Sequence, residues 1–168
     1  MSMGEEWKRE TDLYVDNAKR EMNKLRNLDR EVGNLKKKLI FEQQKGMLSG
    51  YTGLSQNYGS TLLELMELDS EFRQCANRVA TCLTAAVAMI YSQLNDKSSL
   101  QAMGARSNLI SIQLLLSNPL AKHIPTDALM AAVCQAEISV LNKPEMSFSF
   151  PIRRVLRSIR QKLSGATI

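Results

Sequence analysis

The sequence predicts an all-α protein: a long antiparallel, coiled-coil-like helical hairpin, shorter helices packed against it, and a basic amphipathic helix near the C-terminal end. Three observations carry this. Residues 5–45 keep an apolar heptad through five repeats, residues 61–95 supply a second long helix whose latter half is nearly free of charge, and residues 152–163 set five cations around a narrow apolar arc. With 168 residues, 44% hydrophobic and 23% charged, the chain suits a single helical domain over 1–168 with a sizeable core.

The first helix is expected over 5–45. Trp7, Tyr14, Leu28 and Leu35 share one heptad position, and Thr11, Ala18, Leu25, Val32 and Leu39 share the other, with Glu21 and Glu42 as the charged exceptions. Lys, Arg, Glu and Asp crowd the flanks, the pattern of a helix that pairs along one seam and stays wet elsewhere. The seam has two outlets. It either dimerises with a second chain through Trp7, Tyr14, Ala18, Leu25, Leu28, Val32, Leu35 and Leu39, or it folds back on the chain's own central helix. Gly33 lies off the seam and weakens the helix by about 1 kcal/mol relative to Ala without ending it.

Gly46, Gly50, Gly53 and Gly59 mark a loop over 46–60, with a helix stop near Gly46 and a restart capped by Ser60 or Thr61. The loop has neither the glycine-lysine pattern nor the preceding strand of a nucleotide-phosphate cradle. The central helix then runs over 61–95. Leu65, Leu68, Phe72, Cys75, Val79, Cys82, Ala86 and Met89 form one row, and Ala76, Leu83 and Ile90 a second beside it. From Cys75 to Leu94 the only charged side chain is Arg78, so this stretch needs cover on nearly all sides. A strip left bare there is where a partner is expected. The apolar run Val79 to Tyr91 falls short of the ~20 residues of a membrane span, which makes it a buried core helix.

Asn95 to Lys97 reads as a turn before a third helix over 98–117, with Leu100, Met103, Leu109, Ile112, Leu115 and Leu116 on its apolar face and Gly104 at a close contact or a kink. Pro119 and Pro125 bracket a break, and Thr126 opens a fourth helix over 126–142 whose stripe is Leu129, Val133, Ala136 and Val140. Residues 143–151 alternate Met146, Phe148 and Phe150 with polar residues, an extended linker that packs on the bundle or docks a partner as a strand.

The last helix, 152–163, begins beside Pro151. Ile152, Val155, Leu156, Ile159 and Leu163 form its apolar arc, and Arg153, Arg154, Arg157, Arg160 and Lys162 its remainder. Charge is placed unevenly: residues 1–45 carry a net +2, 46–145 a net −2 and 146–168 a net +5, so the chain's +5 at pH 7 is concentrated in this helix.

Catalysis lacks its usual materials. There is one histidine, His123, between two prolines, and no metalloprotease, nucleophile-elbow or phosphate-loop motif. Glu64, Glu67 and Glu71 lie at helical spacing without a histidine partner, and Cys75, Cys82 and Cys134 have no paired-cysteine spacing. The expectation is a non-enzyme with no cofactor, no metal site and no catalytic residues. Three cysteines and a charged N-terminal segment favour a reducing intracellular setting, cytoplasmic or nuclear.

The leading expectation is an oligomeric binding protein, a dimer by preference, whose Arg153, Arg154, Arg157, Arg160 and Lys162 engage nucleic acid or another polyanion through its phosphates with little sequence specificity. The alternative is a protein–protein adaptor using the heptad seam or the Met146–Phe150 segment. The third is a peripheral protein whose last helix lies on an anionic membrane.

Overall fold

The computed structural model describes residues 3–48, 57–95, 99–142 and 149–165. The chain is all-helical, with no strand among the described residues: α1 (Met3–Leu48), α2 (Tyr58–Asn95), α3 (Ser99–Leu116), a short 3-10 helix (Pro119–His123), α4 (Asp127–Leu141) and α5 (Ser149–Gly165). α1 and α2 pack along each other as a hairpin with the shorter helices against it. Two polar contacts give the direction. Glu21 meets Arg78 and Thr11 meets Gln93, so pairing runs backward along α1 as it runs forward along α2.

Two compact units divide the chain. The first comprises Met1–Met22 and Ala76–Ile168. Its centre is the low-charge half of α2, where Ala76, Val79, Leu83, Ala86, Val87, Ile90 and Leu94 are buried. Val15, Ala18 and Met22 of α1, Leu109 and Ile112 of α3, and Leu129 and Val133 of α4 are buried in the same unit. α5 packs on both α3 and α4. Side chains tie the remaining pairs: Gln93 Nε2 donates to Thr11 Oγ1 at 3.1 Å in a buried contact, and Asn108 Nδ2 donates to Asp12 Oδ1 at 2.9 Å. Such bonds satisfy polar groups that would otherwise cost about 1–3 kcal/mol each when buried.

The second unit, Asn23–Cys75, holds the later half of α1 and the earlier half of α2. Leu25, Val32, Thr61 and Cys75 are buried there, as is Glu42, one of the two acidic seam positions.

Several boundaries differ from the sequence expectation. α1 continues through Gly46 to Leu48, and α2 begins at Tyr58 rather than at Ser60 or Thr61. The reason is local. The Thr61 amide donates to the Asn57 carbonyl at 2.9 Å, so Thr61 already sits inside the first turn, with its side chain buried. A glycine in a helix costs about 1 kcal/mol, too little to end one that is otherwise supported. Residues 49–56 of the expected loop lie outside the described residues.

α5 likewise starts at Ser149, so the extended run expected through Pro151 gives way to helix three residues early. Pro151 then falls in the first turn, where no intrahelical N–H is required and its fixed φ suits the helix. Residues 143–148 lie outside the described residues, and with them most of the proposed Met146–Phe150 docking strand. Thr126 occupies the cap of α4 as expected, but its side chain makes no capping hydrogen bond. Between α3 and α4, the Asn118 side chain caps the 3-10 helix by accepting from the Leu120 amide at 3.0 Å.

Candidate functional site

At 100° per residue, Ile152, Leu156, Ile159 and Leu163 fall within about 60° of one another. All four are buried. Burying them against α3 and α4 fixes the rotation of α5, which turns Arg153, Arg154 and Arg157 outward as an exposed ridge. Among the described residues, no carboxylate lies within ion-pair distance of these three arginines.

The other two expected cations are placed differently. Arg160 sits at the flank of the arc beside α4, its Nε 2.9 Å from Oε2 of the mostly buried Glu137. The Nε–H is buried and has no hydrogen-bonded acceptor among the described residues, so the contact is held by charge and proximity rather than by a linear hydrogen bond. Lys162 is exposed on the last turn, turned away from the ridge. The five-cation patch therefore divides into a ridge of three, one internal ion pair and one separate lysine.

An open polar cleft of about 510 Å³ lies between α3 and α5. Arg106 and Gln113 line it from α3, and Pro151, Arg154, Val155 and Ser158 from α5. Gln113 Nε2 donates to Ser158 Oγ at 2.7 Å across its floor. Sequence reading missed Arg106, Gln113 and Ser158. Arg106 is an isolated cation in an otherwise uncharged helix, and nothing in its neighbourhood signals that it will meet a helix nearly fifty residues away.

A second concavity, about 630 Å³, runs along α2. It is lined by Asn77, Ala80, Thr81, Thr84, Ala85 and Ala88, with Pro125, Asp127 and Ala128 at its edge. This is the strip of α2 left bare by the flanking helices. Thr81 Oγ1 donates to the Asn77 carbonyl at 2.9 Å and Thr84 Oγ1 to the Ala80 carbonyl at 2.7 Å. Both hydroxyls are thus turned back onto their own helix, and what the groove offers is chiefly methyl groups.

The heptad seam is divided. Ala18, Leu25 and Val32 are buried within the chain, together with Thr11. Tyr14, Leu28, Leu35 and Leu39 are half-buried, and the Trp7 side chain lies outside the described residues. Glu21, the other acidic seam position, accepts from Arg78 Nε at 3.0 Å. Beside this pair, burial raises the pKa of the Cys82 thiol above its ordinary value, Glu21 adds to the rise and Arg78 opposes it.

His123 is exposed, as are Glu64, Glu67 and Glu71. Among the described residues there is no group of three side chains suited to holding a metal ion and no helix long and apolar enough to cross a membrane. The three cysteines are free thiols. No known protein family, no curated protein and no solved structure matches the chain.

Proposed function

We propose that this helical bundle is a non-enzymatic binding protein whose α5 ridge engages the phosphates of a polyanion, foremost a nucleic-acid duplex, without strong sequence specificity. One observation carries the reading: the apolar arc of α5 is committed to the core, and Arg153, Arg154 and Arg157 stand exposed without carboxylate partners among the described residues. Guanidinium groups so placed can make bidentate contacts to phosphate, and counterion release supplies the affinity. A duplex is favoured over a single strand because no aromatic side chain stands among the basic residues of the ridge to stack on bases. Lying on an anionic membrane would require the same arc to leave the core, so that reading is the weaker one.

Self-association is part of the proposal. Ala18, Leu25 and Val32 are already used within the chain, which leaves the half-exposed seam residues and the exposed Ile40, Phe41, Leu62, Leu63 and Met66 for a second copy. Two ridges in one dimer would strengthen a site that three charges alone leave weak.

The test is fluorescence anisotropy with a labelled mixed-sequence DNA duplex over a salt series. Affinity should fall steeply with salt and be lost in the triple variant Arg153→Glu, Arg154→Glu, Arg157→Glu. Arg160 is left intact, because reversing it would place a carboxylate against Glu137. Absence of binding by the wild-type chain at low salt would sink the reading. A second reading, a protein adaptor, draws on the apolar groove of α2. It expects a protein partner retained by the triple variant and lost on Ala85→Arg, which fills the groove.

A further inference from the structure

We propose that the cleft between α3 and α5 is a phosphate seat, in which Arg106 and Arg154 together grip one phosphate of the nucleic-acid backbone and Ser158 donates a further hydrogen bond to it. This rests on the polyanion reading of the ridge and names the group bound and the residues that hold it.

The first argument is a missing counter-charge. Two cations of this unit that meet a neighbouring helix elsewhere are each answered by a carboxylate: Arg78 has Glu21 and Arg160 has Glu137. Arg106 and Arg154 break that pattern. They approach one cleft from two helices that pack directly, and among the described residues no carboxylate is within ion-pair distance of either. Two like charges sharing a cleft repel each other until an anion enters, and a phosphate offers each guanidinium fork a pair of oxygens.

The second argument is the floor. Gln113 Nε2 donates to Ser158 Oγ at 2.7 Å, which occupies the serine oxygen as an acceptor and leaves its O–H to donate into the cleft. The contact also holds both side chains in place before any ligand arrives, so less ordering is needed on binding. Pro151 and Val155 provide aliphatic walls that shield the site on the α5 side. The opening, about 510 Å³, admits a phosphate still attached to its chain.

The third is continuity. Arg154 belongs both to the cleft and to the outward ridge, and Arg157 lies about 4.5 Å further along the helix axis. A strand whose phosphates advance by about 3.4 Å of helix axis each can occupy the cleft and continue along the ridge.

The experiment compares Arg106→Gln, Arg154→Gln and Ser158→Ala with Lys19→Gln, which removes one charge from an exposed site on α1, and with Arg157→Gln on the ridge. Helix content by circular dichroism confirms that each variant folds. Duplex affinity should fall roughly tenfold in Arg106→Gln and in Arg154→Gln, and the slope of log affinity against log salt should drop by about 0.9, one phosphate, relative to Lys19→Gln. In parallel, inorganic phosphate is titrated into the full chain while the Gln113 side-chain amide is followed by NMR, and it should shift in the wild type but not in Arg106→Gln. If Arg106→Gln behaves as Lys19→Gln while Arg157→Gln weakens duplex binding, the seat is overturned and the ridge reading stands. If the duplex does not bind but phosphate shifts the Gln113 amide, the seat stands as a phosphate site and the nucleic-acid reading falls. If neither ligand has an effect, both are overturned.

Discussion

The two units of this chain are made from the same two long helices and have very different interiors. Met1–Met22 with Ala76–Ile168 holds 24 of the 27 buried apolar side chains among the described residues, and Asn23–Cys75 holds only Leu25, Val32 and Cys75. The same short unit exposes five large apolar side chains, with Leu63, Met66 and Phe41 each at least 60% accessible. The cause is geometric. Two helices can cover only one stripe of each other, and a third and fourth are needed before a helix such as Val79–Leu94 can be apolar on most sides. A core therefore forms where α3, α4 and α5 are available, and Asn23–Cys75, without them, keeps Ile40, Phe41, Leu62, Leu63 and Met66 exposed.

Substitutions that treat the two units alike should separate them. Leu83→Ala, at a fully buried position, should cost about 2–5 kcal/mol in a denaturant titration. Leu25→Ala is as buried, but its surroundings can collapse more freely, so its cost should fall near the low end of that range; equal costs would break the contrast.

Two of the glycines inside helices, Gly33 and Gly104, give a smaller and opposite effect. A methyl at Gly33 meets nothing within 4 Å, and one at Gly104 would first meet the Lys8 stem, at 3.6 Å. Gly33→Ala and Gly104→Ala should each stabilise by about 0.5–1 kcal/mol, and destabilisation at Gly104 would show that the contact with Lys8 is tighter than the geometry indicates. Leu63→Ser and Met66→Ser should change stability by no more than about 0.5 kcal/mol. If that surface joins two chains, the same pair should lower the solution mass by light scattering.

The smallest effect is at Cys82. Its folded thiol holds the proton more tightly than the unfolded one, so the stability this contributes is present below the ordinary thiol pKa and is lost as pH rises through the raised value. Alkylation of Cys82 at fixed alkaline pH should be faster in Glu21→Gln and slower in Arg78→Gln. The reverse order would remove Glu21 and Arg78 as causes.

Much of this was legible in the residues. The heptads of α1 and the uncharged half of α2 announced a hairpin, and Ile152, Leu156, Ile159 and Leu163 announced the face on which α5 docks, because apolar periodicity is a property of the helix itself. The stripe of α4 was legible for the same reason. Helix ends were less so, since Gly46 and Gly59 are breakers by propensity whose cost of about 1 kcal/mol each the neighbouring turns outweigh, and Pro151 is admitted by any position of a first turn.

By itself, then, the sequence determined that the protein is helical, which face of each helix is apolar, and that positive charge gathers in the last one. Only the tertiary structure decided which cations stay available. It spent Arg160 on Glu137, left Arg153, Arg154 and Arg157 facing outward, and brought Arg106 and the Gln113–Ser158 pair to the same cleft as Arg154. Periodicity gives the angle of a residue around its own helix. Which neighbour it meets depends on how several helices share one core, and no local pattern encodes that.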